Sequence, residues 1–308
     1  MAVAMSVELN QQQAENKYVL EEIRALPLAL DKPLYRNYPA MKLGQLQQID
    51  FFSQQLFVMA ADILRNNVNV NVNESTAKNN NWVITAPAYY QLPAAANLLA
   101  RKVHKLLQQQ DFAVSLVEPR LSQQQIVIGS QEEFKSYHDY SKNNLQQRIA
   151  ERQRVQIPNA DRLISYFKNQ SVMIINDINV TGTQQRFMQQ MFDELQVKSC
   201  HWLYILNVDA KLAEDHPEIE YHINSSQISD LDSYGKILGD EKTQHTARCI
   251  ARLFNEEFND FYYLVTSLNQ KMRELIYFLA EKEERYSNAL FADKMNLLAT
   301  SSHSLSVS

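Results

Sequence analysis

Residues 172–184, VMIINDINVTGTQ, constrain what this chain can fold into more than any other stretch. Val172, Met173, Ile174 and Ile175 form a continuous apolar run of strand length, the pattern of a strand buried on both faces. Asn176 and Asp177 follow, and a short turn through Val180, Thr181, Gly182 and Thr183 then opens into a helical pattern over 183–195. In open parallel sheets, ligands settle beyond the carboxyl ends of the strands. A small Gly-containing turn there aims backbone N–H groups in one direction, and the positive end of the helix dipole adds to them. That is the physics of a monophosphate site. Thr181 and Thr183 add hydroxyl donors, and Asp177 can accept hydrogen bonds from sugar hydroxyls. The pattern points to a sugar phosphate, with the anion in the loop and the diol on the acid.

Gly182 carries weight because glycine is scarce. The chain has 5 glycines in 308 residues, where average usage would supply about twenty. A glycine inside a tight loop of such a chain answers a backbone need.

Around this run, strands alternate with helices. Residues 82–85 read as a buried strand, 93–109 as a helix, 113–117 as a second strand, 125–128 as a short third and 201–208 as the strand after the loop. This alternation predicts a parallel sheet covered on both faces. Upstream, 46–64 places Leu46, Ile49, Phe52, Leu56, Met59, Ala60 and Ile63 at helical spacing. Residues 14–25 read as a short helix, followed by an irregular connector punctuated by Pro27, Pro33 and Pro39, and the Asn-rich 66–81 reads as a loop. Beyond about 218 the pattern is helical, with long runs over 245–258 and 263–286. It reads as a cap on the α/β core, with a dimerisation or partner-binding hairpin as the alternative. The aromatic cluster at 258–263 reads as core packing. The expected organisation is an N-terminal helix and connector over 1–40, an α/β domain over 41–217, a helical region over 218–300 and a disordered tail over 301–308.

The stretch 172–184 resembles the ribose-phosphate motif of type I phosphoribosyltransferases, in which an apolar strand leads to paired acids, two apolar residues and a Thr/Ser-Gly loop. Ile178, Thr181 and Gly182 fit, and Val180 is tolerated. Asn176 stands at the first acid, Asn179 at a usually apolar position, and Gln184 where a small hydroxyl residue is usual. Residues 82–103, WVITAPAYYQLPAAANLLARKV, look like the family's pyrophosphate-loop unit, with the turn at 86–91. The polar stretch 138–158 occupies the place of the hood loop that closes over substrate. Its Arg148 and Arg152 fall on one helix face, with Arg154 beside them; a solvated basic helix is the other reading. The resemblance spans roughly 43–208.

It implies a Rossmann-like, parallel-sheet phosphoribosyltransferase fold with a helical C-terminal extension. It also implies a glycosyltransferase of the pentosyl class, acting in nucleotide metabolism. Such an enzyme moves the phosphoribosyl group of phosphoribosyl pyrophosphate to a nucleobase or base-like acceptor and releases pyrophosphate with Mg²⁺. By that resemblance Asn176 and Asp177 are the catalytic positions that orient the ribose, and Asp177 makes an indirect metal contact. Val180, Thr181, Gly182, Thr183 and Gln184 hold the 5′-phosphate. Ala88, Tyr89 and Tyr90, with Arg148 and Arg152, meet the pyrophosphate. A catalytically inactive sensor of a nucleotide or phosphoribosyl pyrophosphate stays open as the alternative. So does an accessory protein like the competence-associated branch, although the chain's acidity and lack of zinc-knuckle cysteines weigh against it. A phosphorylase-like reversal is the remaining variant.

Composition narrows the rest. A net charge of −5 and pI near 5.8 argue against a chain built to coat nucleic acid. Cys200 and Cys249 have no metal-like spacing and read as buried thiols in a reducing compartment. No apolar run approaches the roughly twenty residues of a spanning helix, and the N-terminus lacks the basic and apolar regions of a signal peptide. The expectation is a cytoplasmic protein without membrane contact; a homodimer is compatible. The seven histidines show no zinc pattern, and neither a nucleophile elbow nor a Walker loop occurs.

Overall fold

The computed structural model describes residues 16–68, 81–121 and 160–303. Its centre is a five-stranded sheet, all parallel, in the order β1-β5-β4-β2-β3. The strands are β1 (Asn16–Ile23), β2 (Trp82–Thr85), β3 (Ser115–Leu116), β4 (Ser171–Asn179) and β5 (Ser199–Val208). Helices α1 (Pro33–Leu43), α2 (Leu46–Val68), α3 (Ala95–Gln108), α4 (Ala160–Phe167) and α5 (Thr183–Glu194) lie between them in the chain. Seven further helices follow β5: α6 (Ala210–Asp215), α7 (Ile219–Ser225), α8 (Leu231–Leu238), α9 (Ala247–Asn255), α10 (Phe258–Ser267), α11 (Gln270–Lys282) and α12 (Ala292–His303). This is the α/β parallel-sheet architecture that the alternating pattern predicts.

The pleat divides the core. Ile84, Met173, Ile175, Leu203 and Ile205 pack with Phe52, Leu56, Leu99 and Val103 of α2 and α3. Val83, Val172, Ile174, Trp202 and Tyr204 pack with Phe167, Phe192 and Leu195 on the opposite face. Successive residues of β4 therefore serve opposite layers, and the strand reads as a continuous apolar run because both faces are covered. The C-terminal helices form a core of their own around Tyr234, Phe254, Phe261, Ile276 and Tyr286.

Several elements differ from expectation. The described part of the expected helix at 14–25 is not helical: Asn16–Ile23 is a strand that pairs with β5, Tyr18 beside Leu203 and Ile23 beside Val208. Its mixed polar and apolar residues suited either state locally, and the open edge of β5 decided between them. The connector at 33–43 is helical; Pro33 sits at the first helical position, where a missing N–H is harmless, and Pro39 lies inside the helix. β4 continues through Asn176, Asp177 and Ile178 instead of ending at Ile175. The two long C-terminal patterns are three helices, because the chain is extended at Glu256 and Glu257 and again at Leu268 and Asn269. The aromatic cluster at 258–263 buries Phe261, whereas Phe258, Tyr262 and Tyr263 are exposed. Cys249 is buried but Cys200 only partly so. Helix α12 reaches His303, past the expected start of the tail. The expected strand at 125–128 and the hood stretch with Arg148, Arg152 and Arg154 lie outside the described residues. Among the described residues no helix is long and apolar enough to cross a membrane.

Strand order positions the site. β2 leads to β3 on one side of the sheet, and β4 leads to β5 on the other. The connections leaving the carboxyl ends of the neighbouring strands β2 and β4 therefore diverge. Such a switch point opens a crevice that the sheet itself cannot fill.

Candidate functional site

A cleft of about 290 Å³ lies at that switch point, between the turn after β2 and the loop after β4, and is closed from above by α1, α7, α9 and the segment after α11. Gly182 caps α5 with φ +69°, the left-handed region, so the expected backbone need is present. Helix α5 has no side-chain cap, and its first-turn N–H groups open toward the cleft. The Thr181 and Thr183 hydroxyls are 2.8 Å apart. Arg186, one turn into the helix, donates to the Thr183 hydroxyl at 3.3 Å and adds a positive charge beside the loop. Sequence reasoning missed Arg186, although its spacing from Gly182 places it on the first turn.

The three departures from the family motif are satisfied within the chain. Asn176 donates through Nδ2 to Oε1 of Gln184 at 2.9 Å, so two departures form one hydrogen-bonded pair that ties strand end to loop. Asn179 donates to Asn207 at 2.6 Å, and Asn207 in turn donates to Glu22 of β1 at 3.0 Å. Asn176 is buried, and its amide is bonded through this pairing.

Asp177 points to the other side of β4. Its Oδ1 accepts the N–H of Ile178 at 2.9 Å, and its Oδ2 is bonded by the ammonium of Lys42 from α1. Lys42 also reaches Oε1 of Glu220 on α7 at 3.0 Å, and Arg248 of α9 meets the same oxygen at 3.3 Å. Burial, and then the charges of Asp177 and Glu220, push the Tyr38 phenol beneath this cluster well above its ordinary pKa, so it stays protonated.

Ala88, Tyr89 and Tyr90 form the facing wall. Asn97, fully buried on α3, donates to the carbonyl of Pro87 at 2.9 Å. Arg120 stacks 3.9 Å from the centre of the Tyr89 ring and donates to the carbonyl of Tyr90 at 3.0 Å. Glu283 accepts the N–H groups of Gln91 and Leu92 at 3.3 and 3.0 Å and pairs with Arg285 at 2.7 Å. Burial raises the pKa of Glu283, and Arg285 and the two amides oppose the shift. This clamp comes from a region that motif reasoning left outside the site, and no local signal in the sequence marks it. Lys42, Glu220, Arg248, Glu283 and Arg285 were all missed for that reason.

The described side chains of the cleft do not fit a magnesium ion held by protein groups alone. Among the described residues no three His, Cys, Asp or Glu side chains converge. The two carboxylates nearest the strand end, Asp177 and Glu220, are already matched by Lys42 and Arg248.

The family model described as PRTase ComF-like matches residues 37–298. The matched span includes every residue of the cleft from Lys42 to Arg285 and extends through the C-terminal helices, beyond the 43–208 covered by the motifs. A search of curated proteins found no match.

Proposed function

The chain belongs to the PRTase ComF-like family, and from that premise we propose that it binds phosphoribosyl pyrophosphate or ribose 5-phosphate in the β4 cleft. We propose further that it transfers the phosphoribosyl group to a nucleobase or base-like acceptor. The observation that carries this reading is the uncapped N-terminus of α5 behind Gly182, opening into the same cleft as Asp177. In this reading the 5′-phosphate takes the first-turn N–H groups and the Thr181 and Thr183 hydroxyls. Each oxygen of Asp177 keeps a lone pair for a ribose hydroxyl beyond the bonds it makes to Ile178 and Lys42. Displacement at the anomeric carbon passes through an oxocarbenium-like state, so the chain's work is to position the ring and receive a departing pyrophosphate. Arg285 and the wall at Ala88, Tyr89 and Tyr90 face that leaving group.

A second reading, a sensor that binds without turnover, is favoured by one contact. Glu283 already occupies the Gln91 and Leu92 amides of the turn that would receive pyrophosphate. Titration with ribose 5-phosphate and with phosphoribosyl pyrophosphate, followed by a pyrophosphate-release assay over a panel of bases, separates the two. Binding with release supports the transferase, and binding without release supports the sensor. The absence of binding of either ligand overturns both. Asp177→Ala abolishes binding of both ligands if the carboxylate holds the ribose diol.

A further inference from the structure

We propose that Lys42 is the resident cation of the ribose-binding corner, a positioning residue that lets this cleft hold a ribose phosphate without a divalent metal. The inference rests on the ribose-phosphate reading above and concerns how that site is neutralised.

Among the described residues, opposite charges meet in pairs in this corner. Asp177 and Glu220 contribute two negative charges, and Lys42 and Arg248 two positive ones. The side chains of Lys42, Asp177 and Glu220 are 13, 10 and 6% exposed, so solvent screens them little. The ammonium of Lys42 stands between the two carboxylates and 5.7 Å from the centre of the Tyr38 ring. A divalent ion seated there would have to displace it or add two charges beside an ammonium already held by both carboxylates, and both are costly in a partly desolvated site.

The lysine is also held in place. Helix α1 ends one residue later at Leu43, and Gly44 after it, with φ of +98°, turns the chain sharply. The Thr246 hydroxyl donates to the carbonyl of Lys42 at 2.8 Å, and the N–H of Gln244 donates to the carbonyl of Gly44 at 2.9 Å. The segment before α9 thus grips the last turn of α1, and from that turn Lys42 reaches Asp177, 135 residues away in sequence. A lysine tethered at its backbone, hydrogen-bonded to one buried carboxylate and ion-paired with another, is preorganised. The ammonium has three N–H donors; one is given to Asp177, and Glu220 is held as an ion pair at 3.0 Å. A further N–H is available to a ribose hydroxyl shared with Asp177.

Calorimetric titration of the full chain with ribose 5-phosphate, in EDTA and in magnesium, tests this. The expected result is the same affinity in both buffers, within about twofold. Lys42→Met should lose about tenfold or more in EDTA, the worth of a charge-assisted hydrogen bond. It should also recover affinity with magnesium, because its corner is left with one uncompensated carboxylate. Lys42→Arg should stay metal-independent. Manganese alone, followed by electron paramagnetic resonance, should bind Lys42→Met more tightly than the natural chain. Ribose 5-phosphate binding by the natural chain that requires magnesium overturns the inference and leaves the ribose-phosphate reading standing; that arm does not depend on any variant folding. Absence of binding in both buffers overturns that reading and this inference with it.

Discussion

Replacing Gly182 with alanine should cost less stability than the same change at Gly44, yet more ligand affinity. Both glycines sit at positive φ, +69° and +98°. An L-residue there costs about 1–2 kcal/mol, offset by about 0.4–1 kcal/mol from a less free unfolded chain. The difference lies in what the new Cβ meets. At Gly182 the nearest atom is the Arg186 guanidinium at 3.0 Å, the tip of an exposed side chain that can swing away. The net cost there is about 1 kcal/mol, the strain alone. At Gly44 the nearest atom is the backbone oxygen of Gln244 at 2.0 Å, within the pairing that ties α1 to the C-terminal region. No rotamer change relieves that clash, and overpacking adds about 1–3 kcal/mol, for a total of about 3 kcal/mol. Urea unfolding of the two variants measures the difference. Ribose 5-phosphate titration of Gly182→Ala should show a loss of about tenfold, because re-angling the loop weakens at least one charge-assisted N–H bond to the phosphate. Equal destabilisation of the two variants refutes the steric argument. Unchanged ligand affinity in Gly182→Ala refutes the assignment of the loop.

Other changes probe the clamp and the acid response. Glu283→Ala removes the acceptor of two turn amides and the carboxylate beside buried Arg285, and should cost about 3–5 kcal/mol in urea unfolding; Glu283→Gln, which keeps one acceptor, should cost less, and equal costs would show that the charge dominates. His201 and His245 both have pKa values lowered from 6.5 by burial. In the window below pH 6.5 the unfolded chain takes up these protons before the folded chain does, so their contribution is present above pH 6.5 and lost as pH falls through the folded values. His245 donates from Nε2 to the carbonyl of Leu238 at 2.8 Å, a bond that glutamine can imitate. His245→Gln should therefore flatten the loss of thermal stability as pH falls below 6.5, and an unaltered slope would show that other groups set it.

What could be read from the chain alone follows from locality. The strand 172–175, the Gly182 turn and the helix at 183 are decided by residues within a few positions of each other, so pattern and backbone chemistry sufficed. The break at Asn269 was equally legible, since that side chain accepts the N–H of Met272 as an ordinary N-cap, but a continuous apolar stripe through Leu264, Leu268 and Met272 masked it. The state of residues 16–23 was not local, because only the free edge of β5 makes them a strand. The same holds for the site. Asp177 and Gly182 announce themselves by motif, whereas the partners that set their electrostatics arrive from elsewhere: Lys42 from α1, Glu220 from α7, Arg248 from α9 and Glu283 from beyond α11. Residues 172–184 determined that a Gly-containing turn and a helix N-terminus end a buried strand. Tertiary structure alone decided which charges surround it, because charges act through space and the chain brings them together only when it folds.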